Sequence, residues 1–141
     1  MNDIEKPKIL IVEDSPANVH MLVELLKDFQ CYVAINGKKA LAAVESGTEY
    51  DLILLDVMMP VLSGFELKQY FNHNSKVRNV PVIFITSKAE QKDIKKGIGL
   101  GAVDYITKPF DADDVLTRVN RALRNKWERE KFVDKMTELK A

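Results

Sequence analysis

Five short apolar runs alternate with segments of helical periodicity along this chain, and that alternation restricts it to an α/β architecture built on a parallel sheet. The runs are Ile9–Val12, Cys31–Ile35, Leu52–Leu55, Val80–Ile85 and Val103–Ile106. Leu52–Leu55 has no polar alternation, the pattern of a central strand covered on both faces. Between the runs, Ser15 is placed to cap a first helix with Pro16 in its opening turn, and Val19, Leu22, Val23, Leu26 and Phe29 form the inward stripe. Asn36-Gly37 reads as a turn before a short helix over Lys38–Ser46, with Ala40, Leu41 and Val44 inward and Gly47 as its stop. A third helix is expected over Phe65–Phe71. Ala89–Leu100 makes a poor helix, because Gly97 and Gly99 each cost about 1 kcal/mol relative to alanine, and a marginal, mobile element is expected there.

From Phe110-Asp111 to Leu139 no glycine or proline interrupts the chain, a helical span too long for one compact domain. Val115, Leu116, Val119, Ala122 and Leu123 supply a stripe to cover the sheet, whereas Arg124–Lys131 is polar and mostly charged apart from Trp127. The boundary is therefore expected near Leu123: residues 1–123 form the globular domain, and residues 124–141 a helical linker or stalk toward a possible output domain. Phe132, Val133, Met136 and Leu139 resume an apolar stripe in that tail, and pairing with a second copy would bury it as a weak parallel homodimer.

Composition narrows the function. The 141 residues include 21 basic and 21 acidic side chains for a net charge of zero, so no long-range field favours nucleic acid or anionic lipid, and neither partner is expected. The single cysteine, Cys31, rules out an intramolecular disulfide framework and a thiolate metal cluster, suits a reducing compartment, and reads as a small buried hydrophobe. A polar Met1–Lys8 and the shortness of every apolar run predict no signal peptide and no membrane span, hence a cytoplasmic protein.

The chemistry lies where polar residues end the strands. Glu13 and Asp14 close the first, Asp56 the third and Thr86 the fourth, and Lys108 follows the fifth. In an open doubly wound sheet, ligands bind outside the carboxyl ends of the strands where the strand order reverses, which for the order 2-1-3-4-5 is between strands one and three. Three carboxylates converging there need a counter-charge, and oxygen ligands of this kind suit Mg²⁺ with retained waters. Metal, ammonium and hydroxyl around Asp56 make a site for phosphoryl transfer to that carboxylate, in which catalysis is positioning and charge neutralisation.

Four segments together make the chain resemble a receiver domain of a two-component response regulator: Ile9–Asp14 (ILIVED), Leu54–Pro60 (LLDVMMP) with Gly64, Ile85–Ser87 (ITS) and Gly101–Phe110 (GAVDYITKPF). The resemblance covers residues from about 8 to 123 and implies a flavodoxin-like sheet of order 2-1-3-4-5 with an extended C-terminal helix. It further implies that Asp56 accepts phosphate from a sensor histidine kinase or phosphotransfer protein, and that Glu13, Asp14, Asp56 and the Met58 carbonyl hold Mg²⁺. Lys108 would contact the phosphoryl oxygens ahead of a cis Pro109 peptide bond. Thr86 would move toward the phosphoryl group, and Tyr105 would rotate inward, reshaping the face formed by the fourth and fifth helices to control an output. Met58 and Lys88, two residues after Asp56 and Thr86, would tune phosphoryl lifetime.

Plainer readings exist for each residue alone. Asp56 can be a polar strand terminus, Glu13-Asp14 the start of a helix cap, and Tyr105 a core ring; His20 and His73 read as ordinary helix residues with no metal or phosphodonor role. Gly97-x-Gly-x-Gly101 has the wrong spacing for a phosphate loop and leads into a strand. An aspartyl phosphatase needs a second acid two positions after the nucleophile, where Met58 stands, so a signalling switch that assists only its own phosphorylation and dephosphorylation is expected instead of an enzyme. The alternative is an unphosphorylated pseudo-receiver acting as a protein-interaction module.

Overall fold

In the computed structural model, which describes residues 5–87 and 91–140, five strands and five helices alternate along the chain. They are β1 (Lys8–Val12), α1 (Pro16–Leu25), β2 (Gln30–Ala34), α2 (Gly37–Glu45), β3 (Leu52–Asp56), α3 (Gly64–Asn72), β4 (Val82–Thr86), α4 (Gln91–Gly99), β5 (Asp104–Thr107) and α5 (Ala112–Lys140). All neighbouring strands pair in parallel, in the order β2-β1-β3-β4-β5. This is the doubly wound sheet that the sequence predicts.

The pleat sends successive side chains to opposite faces and so divides the core in two. Ile9, Ile11, Leu52, Leu54, Ile83 and Ile85 pack against Leu22 and Leu26 of the α1 side and Val115, Val119 and Leu123 of α5. Leu10, Val12, Ile53, Leu55 and Phe84 pack against Ala40 and Val44 of α2 and Leu67 and Phe71 of α3. Both faces of β3 are therefore covered, which is why its sequence shows no alternation. Burying each large aliphatic side chain in these layers stabilises the fold by about 1.5–3 kcal/mol relative to leaving it in water.

Local signals explain the helix ends. Ser15 caps α1 by accepting the Asn18 N–H, with Pro16 in the first turn, and Gly47, at φ 92, follows the end of α2. Asn36 departs from expectation: it is the N-cap of α2, its side chain accepting the Lys39 N–H at 2.8 Å, so Asn36-Gly37 begins a helix and is not a separate turn. Val23 is exposed and Leu25 takes its place against the core, because the buried face centres on Leu22 and Leu26 and Val23 lies about 100° around the helix from Leu22.

Three strands are shifted. β2 ends at Ala34, leaving Ile35 exposed, and β5 begins after an exposed Val103. β4 begins at Val82, since the Val80 N–H turns back to the Val77 carbonyl and Pro81 has no N–H to donate. Cys31 is only half-buried; its thiol lies 3.5 Å from the Leu26 carbonyl, and burial pushes its pKa up.

α4 forms despite its glycines, and Gly97 has a packing reason. A Cβ there would stand 2.2 Å from the Tyr105 hydroxyl and 2.8 Å from the Phe84 ring, so only glycine lets α4 lie this close to β4 and β5. Lys88 lies outside the described residues. α5 is a single helix of 29 residues, about 43 Å long. Its inner stripe ends at Leu123; Lys126 reaches Asp51 at 3.4 Å, and every residue from Trp127 to Lys140 is exposed.

Candidate functional site

β1 and β3 lie side by side at the centre of the sheet, with Val12 opposite Leu55, so Glu13 and Asp56 leave adjacent strands at the same level. Glu13 is held by its backbone N–H to the Ala34 carbonyl (3.1 Å), and its Oε2 accepts the Ser15 N–H at 3.0 Å. Asp56 Oδ1 accepts the Met58 N–H at 3.1 Å. The loop after Asp56 closes tightly: the Gly64 N–H donates to the Val57 carbonyl at 3.0 Å, and a Cβ on Gly64 would lie 2.2 Å from the Asp56 carbonyl oxygen. Glycine at the start of α3 thus keeps the Asp56 loop in place.

Glu13 and Asp56 are buried and Asp14 is exposed, and one carboxylate oxygen from each lies within 4.8 Å of the others. Lys108 enters this crevice from the end of β5. Its backbone N–H donates to the Thr86 carbonyl at 2.7 Å, and its peptide bond to Pro109 is cis. Lys108 Nζ sits 3.0 Å from Glu13 Oε1 and 3.4 Å from Asp56 Oδ2, but only the Asp56 contact has hydrogen-bond geometry. Among the described residues Glu13 Oε1, which is buried, therefore has the Lys108 ion pair but no hydrogen-bond partner.

The electrostatics follow from crowding. Burial, then the adjacent Glu13 carboxylate, raises the Asp56 pKa to about 7, against the opposing pull of Lys108 and the Met58 amide. Burial alone would depress the Lys108 pKa, but Glu13 and Asp56 outweigh it and the ammonium is held more firmly than usual. Among the described residues one cation, Lys108, faces the two buried carboxylates Glu13 and Asp56, and a divalent cation would offset the excess negative charge.

Thr86 closes β4, one residue beyond the Ile85 that pairs with Asp56, and is buried. Tyr105 on β5 is half-buried against Phe84, and its hydroxyl donates to the Ile94 carbonyl in α4. Met58 is 72% exposed beside Asp56. Glu13, Asp14, Asp56, Met58, Thr86 and Lys108 thus gather at the carboxyl end of the sheet, whereas Tyr105 stands two residues back beside Phe84, and Lys88 is not among the described residues. His20 and His73 are both exposed. Sequence reasoning treats Gly97 only as a helix breaker; its position next to Tyr105 has no local signal, because the partner is eight residues away on another element.

Residues 9–120 match the family model described as the response regulator receiver domain. A probable cyclic di-GMP phosphodiesterase of Vibrio cholerae is 36% identical over 126 residues, 89% of this chain and 29% of that protein. The response regulator ArlR of Staphylococcus saprophyticus is 40% identical over 120 residues, 83% of this chain and 52% of its own length. The chain spans about half or less of these curated relatives. Among solved structures, the Vibrio cholerae chemotaxis protein CheY4 superposes with a TM-score of 0.79 at 29% identity, covering 84% of this chain and 99% of that one. The receiver domain of a Pseudomonas aeruginosa sensor histidine kinase, solved with a magnesium ion in its active-site cleft, superposes with a TM-score of 0.76 at 29% identity, covering 85% and 98%. With the family match running through every strand of the sheet, the chain belongs to the response regulator receiver domain family.

Proposed function

We propose that this receiver domain is a switch controlled by phosphorylation of Asp56, with a sensor histidine kinase or phosphotransfer protein as donor and Mg²⁺ as cofactor. Receiver domains are signalling modules, and no described helix here is long and apolar enough to cross a membrane. The observation that carries the reading is the buried Asp56 set between Glu13, Asp14 and Lys108. Glu13, Asp14, Asp56 and the Met58 carbonyl would hold the metal; among the described residues the buried Oε1 of Glu13 has the Lys108 ion pair at 3.0 Å but no hydrogen-bond partner, so it has lone pairs to offer such an ion. Bound there, Mg²⁺ supplies the positive charge that lets an anionic phosphoryl group approach a carboxylate.

The chain's own residues do the rest. An Asp56 carboxylate oxygen bonds to phosphorus as the N–P bond of a donor histidine, protonated on its other ring nitrogen, breaks, leaving an acyl phosphate on Asp56 and a neutral imidazole on the donor. Lys108, already 3.4 Å from Asp56, transfers its contact to the new phosphoryl oxygens. Thr86 shifts toward them, Tyr105 repacks behind it, and the face made by α4, β5 and α5 changes shape. Met58, exposed beside Asp56, and Lys88, two residues after Thr86 in sequence, would tune how long the phosphoryl group lasts. Residues 124–141 would act as the stalk that carries the change from the 1–123 receiver unit toward an output, with Lys126 tied to Asp51 where the two meet.

Phosphorylation with acetyl phosphate separates this from the interaction-only alternative. The parent should gain one acid-labile phosphoryl group with Mg²⁺ and none with EDTA, and Asp56→Asn should gain none. Equal incorporation in Asp56→Asn, or none in the parent with Mg²⁺, would refute the assignment.

A further inference from the structure

At the end of the sheet opposite the acidic crevice, α3, the turns entering β4 and β5, and the extension of α5 enclose a cleft of about 630 Å³. Lys68, Arg78, Lys126 and Arg129 line it. Lys68 is the unusual member, with only 4% of its surface exposed on the inner side of α3. It donates to Asn72 Oδ1 at 2.5 Å, and Asn72 is itself fixed by donating to the Leu100 carbonyl at 2.9 Å. Among the described residues no carboxylate lies within ion-pair distance of Lys68, Arg78 or Arg129, whereas Lys126 is paired with Asp51 and Glu130.

An ammonium has three protons to donate, and burying one with a single neutral acceptor is costly. With only 4% of its surface exposed, Lys68 meets water through the cleft that it lines and not, as a snorkelling lysine does, from a helix surface. Its Nζ lies 3.7 Å from the position a Cβ on Gly101 would take, and Gly101 lines the same cleft. Burial accordingly depresses its pKa, which an anion in the cleft would reverse.

We propose that this cleft binds a small phosphorylated anion, with phosphate oxygens on the Lys68 ammonium and on the guanidinium forks of Arg78 and Arg129. Its volume lies in the range of small-molecule sites. Val80, Pro81, Val103 and Val133 form an apolar wall on which a nucleobase can lie. Glu130 and Asp134, on the α5 lip, offer acceptors to hydroxyl or amino groups. Inorganic pyrophosphate would use the cations alone; a nucleotide would use the wall and lip as well. Because Val133 and Asp134 belong to the α5 extension, the bound anion would tie that extension to the receiver body.

The test is titration of the full chain with pyrophosphate and, separately, with ADP, followed by amide NMR and calorimetry. EDTA is present, so that the metal-free acidic crevice repels anions. Amides of Lys68, Gly101 and Val103 should shift in saturable fashion. Tighter binding of ADP than of pyrophosphate identifies a nucleotide as the ligand class, and equal binding identifies free phosphates; both outcomes support the site. Lys68→Met, close in volume, and the surface double variant Arg78→Gln/Arg129→Gln should each weaken binding roughly ten- to hundredfold. Phosphorylation of Asp56 by acetyl phosphate should be unaltered in either variant. No saturable shift at millimolar probe, or equal affinity in the parent and the double variant, would overturn the proposal.

Discussion

Replacing Gly97 by alanine sets two effects of opposite sign against each other. As a helix residue, alanine is worth about 1 kcal/mol more than glycine, so propensity alone predicts a more stable protein. The structure predicts the reverse. The new methyl carbon would lie 2.2 Å from the Tyr105 hydroxyl and 2.8 Å from a ring carbon of Phe84. Phe84 is fully buried in β4 between α3 and α4 and has no room to retreat, so Tyr105 must swing away. Overpacking of this kind costs about 1–3 kcal/mol, and the lost Tyr105 hydroxyl bond to the Ile94 carbonyl costs about 0.5–1.5 kcal/mol more. Against a gain of about 1 kcal/mol, the net is a destabilisation of about 0.5–3.5 kcal/mol.

Urea unfolding of the parent, Gly97→Ala, Tyr105→Phe and the double variant measures this directly. Tyr105→Phe removes the oxygen that the methyl collides with and the hydrogen bond that the collision would break. The double variant should therefore be more stable than the sum of the two single losses implies, with a coupling of about 0.5–1.5 kcal/mol. If Gly97→Ala proves more stable than the parent and the two substitutions are additive, the close approach of α4 to Tyr105 does not control this face.

Lys108→Ala should keep the fold and Mg²⁺ binding but weaken the phosphorylation-induced change, since its ammonium binds the incoming phosphoryl charge; amide spectra of the free and beryllofluoride-treated variant differing as much as the parent's would count against that role. The double variant Met58→Asn/Lys88→Glu should lose its phosphoryl group faster than the parent, because methionine cannot orient water; equal or slower decay removes the idea. In sedimentation, the chain ending at Ala141 should self-associate weakly through Phe132, Val133, Met136 and Leu139, all exposed here, and the chain ending at Leu123 should not. Identical behaviour of the two, with and without beryllofluoride, would refute a paired stalk. Gly64→Ala should cost well over 1 kcal/mol in thermal or urea unfolding, because its Cβ would meet the Asp56 backbone carbonyl at 2.2 Å; unchanged stability would show that the loop yields.

The element order, the strand ends that carry acids, the helix start at Ser15 and the helix stop at Gly47 were legible in the sequence because each depends on neighbours within a few residues. Alternation, helical periodicity and capping are local interactions, and parallel connectivity then brings every strand's carboxyl end to the same edge. For that reason Glu13, Asp14, Asp56, Thr86 and Lys108 could be assigned to one crevice before any coordinates. Tertiary structure decided what depends on distant partners. Asn36 caps a helix because β2 ends one residue early, Leu25 and not Val23 meets the core, and Gly97 admits Tyr105 from another element. The burial of Lys68 belongs to the same class: its position on α3 is plain in sequence, but only the packing of that helix beside Leu100 and Gly101 limits the water that reaches its ammonium, because desolvation depends on every element that surrounds a charge.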